Sequence, residues 1–361
     1  MSKKHFKLAG SKTPCQETAP AAVDDAAFLE WCYLKILRRE CDEQGRRHYL
    51  AALQQGLSRL ALVEELFNSK EYEERFTDYP LFPPGHLLSP LPAAEDIATL
   101  GSFDWHPEEV PGIDLRVKEQ QQFLRRLAKH YSRLPFRRQP SPGQRYYYEN
   151  SSYSYADAIL LGCIILETRP RRIIEVGSGY SSVAMLDLND QFFDGRIDCL
   201  FIDPDPARLR SLVLANEKQL HFLEKKLQDV PLDIFQTLAA GDILFIDSSH
   251  VSKLGSDVNR IFFEIIPRLR PGVLIHIHDV FFPFEYPQEW LRRGWIWNEQ
   301  YLLRAFLQYN RTFRIRLLSS LVIEKEREWF AAHMPDCLKN TGGSIWIEKT
   351  ALLIHKKGNL G

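Results

Sequence analysis

The sequence has almost no surplus of charge: 46 Lys and Arg stand against 47 Asp and Glu in 361 residues, a net of -1. With that balance there is no global field to hold nucleic acid or an anionic membrane. The local basic group Arg133, Arg137 and Arg138 reads as a solvated helix end. Long apolar runs are missing too, and none approaches the ~18 residues that span a bilayer. The opening stretch MSKKHFKLAGSKTPCQETAPAAV lacks the apolar segment of a secretory signal. Cysteine is sparse: Cys15, Cys32, Cys41, Cys163, Cys199 and Cys337 include no pair at C-x-x-C spacing. That spacing argues against a zinc site or a disulfide framework and suits a reducing compartment. The expectation is a cytoplasmic protein with no membrane span and no nucleic-acid partner.

What is present is an ordinary globular composition, 45% hydrophobic and 26% charged, in a chain long enough for a large domain and a smaller one. Residues 1–23 read as a flexible tail. Residues 24–76 read as a small all-α module. Phe28, Trp31, Cys32 and Leu34 recur at helical spacing, as do Leu60, Val63, Leu66 and Phe67. CDEQGRRHY supplies a turn around Gly45, and Gly56 stops a helix before Ser58 caps the next. Residues 77–145 combine the Pro-rich connector YPLFPPGHLLSPLPAAED with an amphipathic helix over 114–134, whose inner face holds Leu115, Phe123, Leu124, Leu127 and Tyr131.

From residue 146 to 361 strands and helices alternate. RRIIEV, IDCLFID, a strand within HFLEKKLQDV, DILFID and GVLIHIHD are separated by helical stretches, which implies a parallel sheet with crossovers. TFRIRLLSSLVI and GSIWIEKT close the chain as an antiparallel edge pair. The fold class expected is α/β, doubly wound.

Ligands in such sheets sit beyond the carboxyl ends of the strands. Glu175 ends the first strand and Gly177-Ser178-Gly179 turns the chain, with glycine allowing close approach or an unusual φ. A dinucleotide fingerprint needs a small third residue where Ser182 stands, and its ribose acid lies about 20 residues on. Here Asp203 lies 26 residues after Gly177 (203 minus 177). Glu175 also suits an ammonium and a sulfonium better than a pyrophosphate. Asp203, ending the second strand, can accept both ribose hydroxyls. Asp229 is placed to reach an adenine amino group or to cap a helix.

The motifs EVGSGYSS, FIDPDP, GDILFIDSSH and LRPGVLIHIHD, with the terminal strand pair, make residues 146–349 resemble the class I S-adenosylmethionine-dependent methyltransferases. The resemblance implies a mostly parallel seven-stranded sheet with an antiparallel last strand. It also implies S-adenosylmethionine as cofactor, with Glu175, Gly177, Ser178 and Gly179 at the methionine end, Asp203 at the ribose and Asp229 at the adenine. Phe28, Tyr33, Leu37-Arg38, Asp42, Gly45, Tyr49, Gly56, Ser58-Arg59, Ser69 and Glu71-Tyr72 resemble a helical module appended to bacterial secreted and glycan-modifying proteins. That resemblance implies a protein-docking part and a glycan acceptor.

Asp247 and Asp279 end the fourth and fifth strands, which are about 4.8 Å apart if neighbours. Two carboxylates so placed can hold Mg²⁺, similar to the arrangement of catechol O-methyltransferases. Val280 departs from that pattern, which has an Asn ligand there. His250 and His278 are alternative or joint catalytic groups, whereas His276 reads as a core residue. The aromatic stretch with Trp290, Trp295 and Trp297 reads as a lid or acceptor pocket. The function expected is O-methylation of a sugar hydroxyl. A scaffold with an inert domain and an NAD-dependent oxidoreductase are the alternatives.

Overall fold

The computed structural model describes residues 24–37, 39–72, 85, 89–98, 106–213 and 220–351. The chain divides into two compact units, residues 1–93 and 94–361.

In the smaller unit, helices span Asp25–Cys32, Glu43–Gln54 and Arg59–Phe67, with a π-turn over Tyr33–Leu37. Phe28, Leu29, Cys32, Leu62 and Leu66 form its core. Its motif residues act as caps and clasps. Asp42 accepts the Gly45 N–H at 2.8 Å, and Ser58 accepts that of Ala61 at 3.1 Å. Arg39 grips both oxygens of Glu71 at 2.6 and 2.8 Å. Gly45 is therefore not a turn residue but lies inside the second helix, where a Cβ would overlap the Tyr33 ring. Glycine is there for lack of space. Leu34 and Phe67, expected in the core, are exposed. Leu60, also expected on that face, lies outside the described side chains.

The larger unit is built on a seven-stranded sheet in the order β3-β2-β1-β4-β5-β7-β6. Its strands are β1 (Arg172–Val176), β2 (Asp198–Ile202), β3 (His221–Leu223), β4 (Ile243–Ile246), β5 (Leu274–His278), β6 (Phe313–Leu318) and β7 (Ser344–Lys349). β7 runs antiparallel between β5 and β6, and the other strand pairs are parallel. β4 and β5 are buried along their whole length. Helices cover both faces of such a central parallel strand, so it needs no polar alternation. One core cluster lies on each face.

SSLVI, expected to continue β6, is helical over Ser319–Lys325. Leu321, Val322 and Ile323 are all buried, and a short buried apolar run has no period by which to tell strand from helix. Ser319 ends the strand by donating its hydroxyl to the Ser344 carbonyl at 3.0 Å.

Residues 110–148 belong to this unit. The amphipathic helix is α-helical over Val117–Leu127 and continues as a 3-10 turn to Arg133. Phe123, Leu124 and Leu127 face inward as expected. Gln120 is fully buried among them. Its amide donates to the Leu115 carbonyl and accepts the Leu318 N–H at 2.7 Å, tying the helix to the end of β6. Among the described residues no helix is long and apolar enough to cross a membrane.

Replacing Gln120 with alanine removes a partner from two backbone groups in a dry interior, and each unmet group costs about 1–3 kcal/mol. The expected result is a fall in thermal midpoint of several degrees, read by circular dichroism. An unchanged midpoint would mean that water replaces the amide.

Candidate active site

β1 delivers Val176 to the open edge of the sheet, and the chain then turns at Gly177 with φ +87. Its N–H donates to Ile202 at 2.9 Å, and the Asp247 N–H donates to Val176 at 2.9 Å. The ends of β1, β2 and β4 are thus fixed to one another. A Cβ on Gly177 would collide with the Asp247 carbonyl oxygen, so the position requires glycine twice over, for space and for φ. Gly179 differs. Its φ of 172 is extended backbone open to any residue, and a Cβ there would instead crowd the Arg208 side chain at 3.1 Å.

Asp203 accepts the Ser178 N–H and hydroxyl on one oxygen, at 2.9 and 2.8 Å. Its other oxygen accepts the Asp205 N–H at 2.8 Å. Glu175 lies beneath the turn, fully buried. Its carboxylate accepts the hydroxyls of Ser181 and Ser182, and Ser182 in turn accepts the Gly179 N–H at 2.9 Å. The residue in the third-glycine position is therefore a staple holding the turn to the strand. Burial pushes the Glu175 carboxyl up to about 8. The two serines pull it back, and Asp247 and Asp203 push it further up.

A cavity of ≈ 710 Å³ opens over the turn, a volume within the range of small-molecule sites. It is lined by Gly177–Ser181, Asp203, Gln228 and Asp247 among others. Two residues expected at this site are placed elsewhere. Glu175 supports the turn from below and is not in the lining. Asp229 is exposed and outside it, because the 3-10 turn Leu227–Asp229 buries Leu227 and aims the next side chains outward. Gln228 takes the place on the wall, its amide donating to Gly255 at 2.8 Å. Asp229 caps no helix, since the following one is preceded by Leu232.

The second half of the site starts from Asp247, at the end of β4. His250 Nε2 lies 3.3 Å from Asp247 Oδ1 and 3.5 Å from Asp279 Oδ2. His250 Nδ1 lies 2.9 Å from Glu299 Oε2. His250 and Asp279 both adopt left-handed φ, 58 and 55, a costly conformation for such residues that clusters at functional sites. Burial alone would lower the imidazole pKa. Asp247 and Glu299 outweigh it and push it up to about 11. Burial raises the carboxyls of Asp279 and Glu299. For Asp247 burial is opposed by the surrounding histidines, and the net direction is down.

His278 stands at the edge of this group, 3.5 Å from Asp279, with the Tyr153 ring 5.1 Å away. His276 is stacked on Phe245 at 3.9 Å, and burial holds it well below its usual range, so it is the core residue its position implied. Trp297 lies 4.5 Å from the His250 ring. Trp290 and Trp295 pack on Trp297 at 5.4 and 5.7 Å.

Glu299 was missing from the sequence-derived site. A signal for it exists: Glu299, Leu303 and Leu307 follow at i+4 on the buried stripe of the helix Glu299–Leu307. A carboxylate on such a stripe demands a partner. The backbone N–H groups of Asn298 and Glu299 both donate to the His250 carbonyl, at 3.2 and 3.1 Å, so the same helix start holds the backbone and the ring of His250.

Folded Glu175 keeps its proton to about pH 8, against an ordinary 4.5. Its contribution to stability is complete below the lower value and is lost as the pH rises through the higher one. Glu175→Gln has no proton to lose. Its urea midpoint relative to the parent is expected to improve from pH 5 to pH 8. Equal slopes for the two proteins would contradict a neutral buried carboxyl.

Residues 174–280 match the family model described as a methyltransferase domain. Residues 12–76 match that of a domain of unknown function (DUF4214). An uncharacterized protein of Archaeoglobus fulgidus is 29% identical over 163 residues, which are 44% of this chain and 74% of that protein. The chain is also similar to the O-methyltransferase TomG from Streptomyces achromogenes, solved with SAM, at 15% identity over 71% of this chain and 96% of that one, TM-score 0.33. An O-methyltransferase from Bacillus cereus solved with SAH gives 15% identity, 72% and 98% coverage and a TM-score of 0.29. Likenesses that distant say nothing about chemistry. The family match runs from within β1 to the second residue after β5, and the strand order with β7 reversed completes the sheet. Within the larger unit of this chain, residues 174–280 thus carry the match to the methyltransferase domain.

Proposed function

We propose that the domain moves the methyl group of S-adenosylmethionine to a hydroxyl oxygen, and that the acceptor is a sugar. The observation that carries this reading is the position of Asp247. It lines the donor cavity and is also a member of the Asp247–His250–Asp279 group. A methyl group presented in the cavity therefore meets acid–base chemistry at its exit. A hydroxyl is a poor nucleophile until it sheds its proton. As the new C–O bond forms, the S–C bond breaks and the sulfonium becomes a neutral thioether. The hydroxyl proton passes to a carboxylate of the cluster, Asp247 or Asp279, because His250, pushed up to about 11 by its acidic neighbours, already carries its own proton. Glu299 fixes which ring edge of His250 faces Asp247 and Asp279, as the third member of a catalytic triad does.

The same residues fit a divalent cation. Asp247, His250 and Asp279 each offer one ligand atom, all within 4.8 Å of one another. The other nitrogen of His250 is held by a carboxylate, the usual outer support of a metal-bound histidine. A cation such as Mg²⁺, when bound, lowers the pKa of a coordinated hydroxyl.

The sugar assignment is supported by Trp297, which stands beside His250, and by Trp290 and Trp295, which pack on Trp297. Their flat apolar faces with a polar edge suit the C–H face of a sugar ring.

Two substitutions test this with radiolabelled methyl transfer to a panel of mono- and oligosaccharides. Asp247→Ala is expected to lower kcat by roughly 10²-fold or more, the scale of general acid–base contributions. Full turnover would remove Asp247 from the chemistry. Glu299→Gln is expected to lower kcat by roughly 10-fold or more while leaving the KM for the donor unchanged. A rise in donor KM alone would make Glu299 a packing residue. No transfer to any sugar by the parent protein, with transfer to phenols or amines, would overturn the acceptor class.

A further inference from the structure

The donor has three parts that need different surroundings: an adenosine, a methyl sulfonium and an amino-acid end that carries both an ammonium and a carboxylate. The cavity has matching walls. If the ribose sits on Asp203, the adenine lies toward Leu227 and Gln228 and the methyl faces Asp247. Ser152, Tyr180 and Arg208 line the cavity beside the Gly179 turn and are left for the amino-acid end, whereas the two other cations of the lining, Lys226 and Lys253, adjoin Leu227 and Ser256 on the Gln228 side. Asp203 and Asp247 can pair with the ammonium, but neither can hold the carboxylate.

Arg208 has the features of a group kept for an anion. Its neighbour Arg210 is paired with Glu224 at 2.5 Å, and Arg145 is held by Asp187 and Asp190 at 2.7 and 2.8 Å. Among the described residues no carboxylate lies within ion-pair distance of Arg208. Its partner is the Ser152 hydroxyl, at a long 3.4 Å. The guanidinium reaches Ser152 by crossing the turn at Gly179, where a Cβ would stand 3.1 Å from the Arg208 Cδ. Because the Gly179 backbone is extended, glycine is not needed there for its φ. The space it leaves is the space the arginine side chain uses. The helix Tyr180–Phe193 starts at the same place, and its positive end favours an anion as well.

We propose that Arg208, with Ser152, binds the carboxylate of the donor and so makes the cavity selective for nucleosides bearing an amino-acid tail. The proposal rests on the donor reading above. In this account Gly179 is the passage for that side chain.

The test is calorimetric titration of the full chain and of Arg208→Met and Arg208→Lys with two ligands. S-adenosylhomocysteine has the amino-acid tail, and 5′-methylthioadenosine lacks it. Arg208→Met is expected to weaken the first by roughly tenfold or more, the scale of a charge-assisted bond near the surface, and to leave the second unchanged. Arg208→Lys is expected to fall between the parent and Arg208→Met. Unchanged affinity for S-adenosylhomocysteine, or an equal loss for both ligands, would overturn the role of Arg208. Failure of the parent protein to bind either ligand would instead overturn the donor reading on which the proposal stands.

Discussion

The space a Cβ would need on Gly177 is taken by the carbonyl oxygen of Asp247. This single backbone approach sets the rest of the site. It brings the turn after β1 against the first residue after β4, and the N–H groups of Gly177 and Asp247 close the contact on either side. Asp247 lines the cavity over the turn and also belongs to the buried group with His250 and Asp279. A side chain at position 177 would separate the two strand ends whatever its chemistry.

The cluster stores a second constraint. Asp247, Asp279 and Glu299 surround His250 in a largely buried space. Removing that many charges from water is expensive unless they pair or take up a cation. Two left-handed residues, His250 and Asp279, add backbone strain at the same point. The well-packed strands β4 and β5, buried throughout, supply the rigidity that keeps these groups together. The helix start at Asn298–Glu299 then fixes the one loop residue, His250, that no strand controls.

Much of this was legible in the sequence, for physical reasons. β4 and β5 show as apolar runs ending in Asp247 and Asp279, because a strand end is where a buried run stops. The Gly177 turn shows because glycine there answers a steric need. The parallel sheet followed from the alternation of elements, whereas its seven strands with an antiparallel last one followed from the family resemblance. Other parts were not legible. Glu175 was read as facing a ligand, but its bonds to Ser181 and Ser182 are made below the turn, and a sequence does not show which way a residue at a strand end points. Asp229 differs from Gln228 by one residue in a 3-10 turn, and that one step decides which of them faces the cavity. Glu299 joins His250 across 49 positions, and the link between helix and loop exists only once both are folded. SSLVI and Gly45 failed for a more local reason: an apolar run without a period, and a glycine required for space.

In the proposed complex one cavity holds the donor with its reactive sulfur turned to the Asp247 cluster. A crystal structure of the chain soaked with S-adenosylhomocysteine tests it most directly. The expected electron density has ribose hydroxyls on Asp203, adenine toward Gln228 and the sulfur facing the side of Asp247 and His250. A nucleoside bound with its ribose away from Asp203, or with the sulfur directed away from the cluster, would contradict it.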